Sequence, residues 1–313
     1  MVTLYRPPPA EQIYESYLPG KYIGYTVVGY FTDRFPYLNQ EEWLERIRDG
    51  RITVNGERMH PDSLLKQHDY IVTRMGVREE PPADRTLDVV YEDESIRVFN
   101  KGAPLAVHPS GRYFKNSMTE ILKEAYPDET PRPVQRLDAL TTGLVVFAKS
   151  KKVATHLMRE FTQNRVDKEY LVLVEGLPPQ KSFVVDAPVG KVRGAARAVG
   201  YQTRNPKEAV THFETLSALN GRALIKAYPQ SGRTNQIRVH LASVGLPVVN
   251  DPVYGRRTDD AHRYGLHAHR LRFNGVDGAI DLQAPWPEHF QPYWDAIEQQ
   301  EVGGRINGDR LNF

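Results

Sequence analysis

The chain has 313 residues, of which 40% are hydrophobic and 26% are charged, and this length and composition are typical of a soluble protein with one large domain and a smaller one. Because the chain contains no cysteine, disulfides, thiolate nucleophiles and cysteine-bound zinc or iron–sulfur clusters are excluded. The formal net charge of +2 is too small to indicate a nucleic-acid partner by itself.

Residues 1–36 are rich in tyrosine and proline and have no clear period, so they are predicted to form an N-terminal extension of unassigned structure. Arg6 and the three prolines after it stand where a secretory signal would be apolar. The apolar runs of the chain, such as 144–148, are much shorter than the roughly 20 residues that cross a bilayer. We therefore expect a cytoplasmic protein with no membrane partner.

Residues 37–80 are predicted to form a small α/β domain. Its helix begins after Asn39, which can cap the helix together with Glu42 three residues later. Trp43 and Ile47 share the apolar face of this helix.

A hairpin is predicted after the helix, because the Asn55-Gly56 pair favours a tight turn between two short strands. The run WLERIRDGRITVNG, residues 43–56, resembles the alpha-L RNA-binding domain, which implies that residues 37–80 bind RNA. Three guanidinium groups lie around the helix end and the strand start and could reach RNA phosphates. They belong to Arg46, Arg48 and Arg51. Acidic residues are interleaved with them, so a solvated charged face is the alternative.

Residues 81–86 are predicted to be a linker because the surrounding stretch is acidic and contains two prolines. From residue 87 to residue 300, short strands are separated by glycine and proline and interrupted by a few helices. This pattern predicts an α+β domain with a large, mostly antiparallel mixed sheet and flanking helices. The helices are predicted at 117–126, 151–164, 235–244 and 287–299. Residues 301–313 are predicted to be a flexible tail.

The run QRLDALTTGLVVFAKS, residues 135–150, places Arg136 and Asp138 directly before a turn and an apolar strand. A carboxylate in such a place is not fully solvated, so it needs a nearby cation or several hydrogen-bond donors to stay ionised at neutral pH. Considered alone, Asp138 is more often a turn residue that Arg136 satisfies.

The run SGRTNQIRVHLASVGLPVVNDPVYG, residues 231–255, offers such a cation. A helix is predicted to begin near Thr234 or Asn235, and Arg233 and Arg238 lie close to its start. The backbone amides and arginines of such a helix start attract a protein carboxylate or an RNA phosphate.

The run KEYLVLVEG, residues 168–176, places Tyr170 at the head of an alternating strand, where its ring could stack on a base. An ordinary strand aromatic is the alternative.

These three runs resemble the signature motifs of the RluA-type pseudouridine synthases, and the likeness covers most of residues 87–285. The resemblance implies that Asp138 is the catalytic aspartate, that Tyr170 packs on the target uracil and that Arg238 forms the salt bridge with the aspartate. It also implies a group of RNA-binding residues in the same motifs, namely Arg136, Thr141, Arg233, Thr234, Asn235, Gln236 and Ile237.

The resemblance implies an isomerase that converts uridines to pseudouridines in structured ribosomal or transfer RNA, with no cofactor, no metal and no DNA partner. A monomer is expected. One alternative is a non-catalytic RNA-binding or ribosome-assembly factor with the same fold. Another is a carboxylate hydrolase, which would need a second acid such as Glu175 or Asp251 opposite Asp138.

Several further features bear on these predictions. Gln135 and Asn235 stand where the family has histidine, so different RNA contacts are expected at both positions. His267 and His269 share a strand face, but no third ligand has suitable spacing, so no metal site is predicted. The basic run VRGAARAVG, residues 192–200, could touch RNA phosphates, although a solvated loop is the usual structure for such a composition.

Overall fold

A computed structural model describes residues 3–35, 37–192, 196–256 and 263–297. The chain forms two compact units, one of Pro7–Glu80 and one of Met1–Arg6 with Pro81–Phe313. In the described parts of the chain, no helix has the length and apolar composition needed to cross a membrane. The predicted tail lies outside the described residues, as do the last two residues of the helix predicted at 287–299.

The smaller unit is a four-stranded antiparallel sheet, in the order β1-β4-β2-β3, with two helices. Its elements are β1 (Ala10–Tyr17), α1 (Val27–Arg34), α2 (Gln40–Arg48), β2 (Ile52–Val54), β3 (Glu57–Arg58) and β4 (Tyr70–Arg78). One apolar core joins the helices to one face of the sheet, and its largest buried side chains are those of Tyr30, Phe31 and Trp43.

The helix and hairpin predicted in this unit are confirmed. The Asn39 side chain accepts a hydrogen bond from the Glu42 amide at 2.9 Å, and the Glu42 carboxylate accepts one from the Asn39 amide at 2.7 Å. Asn55 and Gly56 turn the chain between β2 and β3 with φ angles of 52° and 85°, the left-handed conformation that this turn requires.

Residues 7–36 are part of this unit, which differs from the predicted extension. Strand β1 pairs with β4 along its length, and α1 contributes Val27 and Phe31 to the same core as Trp43. Strand β1 has no clear period in its sequence because the register shifts between Glu11 and Ile13, which interrupts the alternation of buried and exposed side chains.

The predicted linker also has a different structure. Ala83 is fully buried, its N–H donates to the Tyr5 carbonyl at 3.0 Å, and its carbonyl accepts from the Tyr5 N–H at 2.9 Å. Residues around Ala83 are therefore an ordered part of the larger unit rather than a free connection.

The larger unit is built on a ten-stranded sheet, and the predicted α+β class is confirmed. The strands follow the order β10-β14-β15-β9-β16-β8-β6-β5, with β17 beside β16 and β7 beside β8. They are β5 (Leu87–Glu92), β6 (Ile96–Lys101), β7 (Arg132–Pro133), β8 (Thr142–Ala148), β9 (Asp167–Glu175), β10 (Ser182–Asp186), β14 (Val210–Leu219), β15 (Arg222–Pro229), β16 (Leu266–Asn274) and β17 (Ala279–Gln283). The flanking helices are α3 (Met118–Ala125), α4 (Lys151–Thr162), α5 (Gln236–Ser243) and α6 (291–297).

Strand β8 is buried on both faces, which explains its uninterrupted apolar sequence. Leu144 and Val146 belong to the cluster that includes Leu157 of α4, whereas Val145 and Phe147 belong to the cluster with α3. The two helices therefore fix β8, and with it the turn that precedes the strand.

The start of β8 pairs with β16. Among the described residues, this is the one pair of strands that runs parallel. Gly143 faces Ala268 with a φ of +106°, and a Cβ at Gly143 would lie 2.2 Å from the Ala268 carbonyl oxygen. Glycine is therefore required where these two backbones meet.

A second, three-stranded antiparallel sheet has the order β12-β11-β13, with β11 (Val189–Lys191), β12 (Arg197–Val199) and β13 (Arg204–Lys207). The basic run 192–200, expected as a loop, thus contains a strand. Residues 193–195 of that run lie outside the described residues.

His267 of β16 is a buried histidine beside this junction. It is 1% exposed, and its Nδ1 lies 2.8 Å from the Thr142 hydroxyl. Burial, with a smaller effect of His269, lowers the pKa of His267 to about 3.

Substitution His267→Gln should reduce the loss of stability in acid. The unfolded chain binds this proton as the pH falls below the ordinary pKa of 6.5, whereas the folded protein does not bind it until about pH 3. Stability present above pH 6.5 is therefore lost on acidification, by about 1.4 kcal/mol per pH unit for one such group. Denaturant unfolding at about pH 7 and about pH 5 measures the difference. The exposed His212→Gln variant serves as the control, and an unchanged pH dependence in His267→Gln would contradict the assignment.

Candidate active site

Asp138 lies in the turn that leads into β8. Leu137 anchors the turn in the core beneath α3, and the Thr141 amide donates to the Asp138 carbonyl at 3.1 Å. The side chain of Asp138 is 37% exposed, so the carboxylate is accessible yet partly enclosed. Arg136 is exposed and Thr141 is buried.

Arg238 of α5 provides the cation that Asp138 needs. Its Nη1 donates to Oδ2 of Asp138 at 2.7 Å, although the two residues are 100 positions apart in the chain. The guanidinium is 9% exposed, so this ion pair is shielded from water on the arginine side. A charge-assisted hydrogen bond of this length holds the carboxylate in a defined orientation.

Asp251 binds the other side of the same guanidinium. Its Oδ2 accepts from Nε of Arg238 at 2.6 Å, and its Oδ1 accepts from Nη2 at 2.8 Å. The carboxylate is fully buried and also accepts from the amides of Val253 and Tyr254. This bidentate pair fixes the plane of the guanidinium and leaves Nη1 to face Asp138.

Electrostatic effects keep Arg238 and Asp251 charged. Burial opposes the charge on Arg238, but the hydrogen bonds to Asp251 and the negative charges around it outweigh burial and raise the pKa of the guanidinium. Burial likewise opposes ionisation of Asp251, but Arg238 and two backbone amides lower the pKa of its carboxyl. The buried pair is therefore ionised throughout the physiological pH range.

Asn235 supports Arg238 from the start of α5. It has a left-handed φ of 59°, its Oδ1 accepts from Nη1 of Arg238 at 3.1 Å, and its Nδ2 donates to the Tyr254 hydroxyl at 3.1 Å. The Tyr254 ring lies 5.1 Å from the guanidinium. Asparagine tolerates this backbone conformation better than most residues, which accounts for its place here.

Tyr170 lies near the ion pair on β9. Its strand neighbours are Ala227 and Ala268, whose small side chains leave room for a half-buried ring. Burial, and then the charge of Asp138, raises the pKa of the Tyr170 hydroxyl to about 12. The hydroxyl is therefore neutral at physiological pH and can donate a hydrogen bond.

Lys101, at the end of β6, is a site residue that the sequence did not reveal. Its ammonium is 1% exposed and donates to the carbonyls of Gly102, Leu105 and Ala139 at 2.9, 2.8 and 3.2 Å. Burial lowers its pKa to about 7, and the charges of Asp138 and Asp84 oppose this effect. Because Ala139 follows Asp138, Lys101 helps to hold the turn that carries the carboxylate.

Gln236 and Ile237, predicted to bind RNA, have internal positions. Gln236 is 4% exposed; it accepts from the Arg233 amide and the Ser231 hydroxyl and donates to the carbonyl of Val210. Ile237 is 7% exposed and lies in the core cluster of β9 and β15. We therefore expect both residues to position α5 rather than to contact RNA directly.

Arg233 and Thr234 are exposed at the start of α5, where they are accessible to a large ligand. Gln135, where a changed RNA contact was expected, instead bonds the backbone of β8. Its Nε2 donates to the Leu144 carbonyl and its Oε1 accepts from the Val146 amide, each at 3.1 Å. The predicted difference in RNA contact therefore has no support at Gln135, because both ends of its amide are used internally.

The predicted RNA-binding arginines of the smaller unit lie at the end of α2 and the start of β2. Arg46 donates to the Glu42 carbonyl at 3.1 Å, Arg48 lies 3.9 Å from Glu41, and Arg51 lies 3.6 Å from Asp49. Both ion pairs are exposed, and such pairs contribute little to stability.

His267 and His269, considered above as metal ligands, have ring centroids 6.0 Å apart. Nδ1 of His267 lies beside the Thr142 hydroxyl, and Nδ1 of His269 lies 2.8 Å from the Ala284 carbonyl. Within the part of the chain that the structure describes, no three potential ligands are grouped for a metal ion.

Comparison with known proteins adds to this geometry. A family model described as RNA pseudouridylate synthase matches residues 95–243, a range that includes Asp138, Tyr170 and Arg238. Ribosomal large subunit pseudouridine synthase D of Pseudomonas aeruginosa is 33% identical over 279 residues, which cover 82% of this chain and 87% of that protein. The mitochondrial tRNA pseudouridine(32) synthase of Saccharomyces cerevisiae is 31% identical over 244 residues, which cover 77% of this chain. The match spans 53% of the yeast protein, about half of its length.

Among solved structures, the human protein RNA Pseudouridylate Synthase Domain Containing 1 is similar, with a TM-score of 0.57 and 27% sequence identity. The match covers 66% of this chain and 86% of the human chain.

Proposed function

Because this chain belongs to the RluA-type RNA pseudouridine synthases, we propose that it converts uridines of a structured RNA to pseudouridines, with Asp138 as the essential carboxylate. The observation that carries the proposal is the 2.7 Å ion pair between Asp138 and Arg238, on a carboxylate that is still 37% exposed. An ion pair with a purely structural role would not need a carboxylate that a ligand can reach. A carboxylate that reacts with a bound nucleotide requires this access.

The reaction breaks the N1 glycosidic bond of uridine, turns the uracil and rejoins it to the ribose through C5. The atoms of substrate and product are the same, so the chemistry requires neither a redox cofactor nor a group donor. The protein must hold an extruded nucleotide, stabilise charge as the bond breaks and retain the freed base.

Asp138 acts in the ionised form in either of two mechanisms, attack on the sugar or base, or removal of a ribose proton. Arg238 binds Oδ2 of this carboxylate and so fixes its orientation. Tyr170 packs on the uracil and, because its pKa is about 12, does so as the neutral phenol.

The two alternative functions have weaker support. A non-catalytic RNA-binding factor has no use for a carboxylate that is both accessible and paired with a buried arginine. A hydrolase needs a second acid across the substrate, but Asp251 is fully buried against Arg238, and Glu175 pairs with Arg222 at 2.9 Å.

The substrate RNA is proposed to be ribosomal or transfer RNA, since the names of two relatives refer to the large ribosomal subunit and to tRNA. We propose that the smaller unit binds this RNA through Arg46, Arg48 and Arg51. The exposed ion pairs of Arg48 and Arg51 are 3.9 and 3.6 Å long, so a phosphate can replace their carboxylate partners at little cost.

Substitution Asp138→Asn should abolish pseudouridine formation and leave the Kd for RNA within about twofold of the wild-type value, because the amide cannot act as base or nucleophile. Tritium release from uridine-labelled RNA measures turnover, and filter binding measures affinity. Asp88→Asn, an exposed carboxylate on β5, is the matched control and should keep full activity. Measurable turnover by Asp138→Asn would refute the role of Asp138.

Replacement of residues 7–80 by a short glycine linker should weaken RNA binding by roughly tenfold or more, with a smaller effect on the single-turnover rate at saturating RNA. The replacement retains residues 1–6, because Tyr5 pairs with Ala83 in the larger unit. A melting curve establishes that the shortened chain is folded. Unchanged RNA affinity in the folded variant would contradict the proposed role of the smaller unit.

A further inference from the structure

Tyr264, two residues before β16, is a buried tyrosine that contacts the ion pair of Arg238 and Asp251. It is 3% exposed, and its hydroxyl donates to Oδ2 of Asp251 at 3.3 Å. The same oxygen accepts from Nε of Arg238 at 2.6 Å, and the centre of the Tyr264 ring lies 6.0 Å from the guanidinium. A buried hydroxyl needs a hydrogen-bond partner, and here the partner is the carboxylate that orients Arg238.

The Tyr264 hydroxyl is protonated and is therefore the donor in this bond. Burial raises the pKa of the hydroxyl well above its usual value. The charge of Arg238 opposes burial, whereas the charges of Asp251 and Asp138 act in the same direction as burial. Because Asp251 is ionised against Arg238, the bond joins a neutral phenol to a carboxylate and is charge-assisted.

Tyr264 holds one end of the Asp251 carboxylate, and two backbone amides hold the other end. Oδ1 accepts from the amides of Val253 and Tyr254 at 2.9 and 3.1 Å, and Oδ2 accepts from Tyr264. Each oxygen thus has a donor in addition to Arg238, so the carboxylate cannot turn without losing a hydrogen bond. Removal of the Tyr264 hydroxyl would release the end of the carboxylate that binds Nε of Arg238.

Backbone hydrogen bonds join the segment of Tyr264 to the segment of Asp251. The Gly265 amide donates to the Val249 carbonyl at 3.0 Å, and the Gly265 carbonyl accepts from the Leu173 amide of β9 at 2.8 Å. A Cβ at residue 265 would lie 2.5 Å from the Leu173 carbonyl oxygen, so this close approach requires glycine. Strand β9 therefore fixes Tyr264 beside the turn that carries Asp251.

We propose that Tyr264 is a positioning residue for the reaction, which acts through Asp251 to align the guanidinium of Arg238 with Asp138. This inference rests on the proposed function, because the alignment matters only if Asp138 is the reacting carboxylate. The hydroxyl fixes Oδ2 of Asp251, this oxygen fixes Nε, and the rigid plane of the guanidinium then fixes the direction of Nη1. Tyr264 therefore contributes to the rate of the chemical step and not to RNA affinity.

The first test is Tyr264→Phe, which removes the hydroxyl and keeps the ring. The single-turnover rate at saturating RNA should fall roughly three- to tenfold, whereas the RNA Kd should stay within about twofold of wild type. Tyr22→Phe is the matched control, because Tyr22 is 4% exposed and its hydroxyl donates to the Asp33 carboxylate at 3.1 Å in the smaller unit. The control loses a buried bond of the same kind and should keep the wild-type rate. Melting curves establish that both variants are folded.

A double substitution distinguishes this positioning role from a purely structural one. Once Asp251→Asn has removed the ion pair, the Tyr264 hydroxyl has nothing left to align, so the double variant Tyr264→Phe/Asp251→Asn should have the rate of Asp251→Asn within about twofold. Incorporation of 4-aminophenylalanine at position 264 keeps an N–H donor in place of the hydroxyl. This replacement should return the rate to within about twofold of wild type.

A wild-type rate in folded Tyr264→Phe would overturn the inference, as would an equal loss of rate in Tyr22→Phe. A double variant that is a further three- to tenfold slower, roughly, than Asp251→Asn would also overturn it, because the two effects would then be independent. If Tyr264→Phe does not fold, the folded 4-aminophenylalanine protein decides the question, since a rate more than about tenfold below wild type would exclude a role for the donor. Failure of the proposed function has a different signature, in which the wild-type chain forms no pseudouridine.

Discussion

The guanidinium of Arg238 lies between two carboxylates, and the chemistry proposed for this chain depends on that arrangement. Asp251 occupies Nε and Nη2 at 2.6 and 2.8 Å, so Nη1 is the donor that remains for Asp138. Arginine suits this role because its planar group offers donors in fixed directions, which a lysine does not. The buried carboxylate thus orients the arginine, and the arginine orients the accessible carboxylate.

The scaffold brings this trio together from segments that are distant in sequence. Asp138 precedes β8, a strand held on both faces by α3 and α4, and Arg238 extends from α5. Lys101 adds a buried cation that binds the carbonyl of Ala139, so the turn of Asp138 is fixed from inside the protein as well as by Arg238. Asn235 and Tyr254 extend the same network to the backbone of Arg197 in β12.

Sequence reasoning predicted the parts of the molecule that have local signals. The cap of Asn39 with Glu42, the turn at Asn55-Gly56 and the apolar run of β8 each follow from a short pattern, and the pairing of Asp138 with Arg238 followed from family motifs. The features that could not be predicted from the sequence depend on tertiary contacts. Lys101 appears polar and exposed in sequence, but three carbonyls converge on it only in the folded chain. Asp251 was considered a possible second acid, because nothing in the neighbouring sequence reveals that its carboxylate binds Nε and Nη2 of Arg238.

The rate of pseudouridine formation by Asp251→Asn, measured in a single turnover at saturating RNA, tests the central claim most directly. The amide cannot form the bidentate ion pair with Arg238, so the account predicts a rate at least about tenfold below wild type, with the RNA Kd unchanged and the variant folded. A wild-type rate in the folded variant would contradict the account, because it would show that Asp138 does not need an arginine held by Asp251.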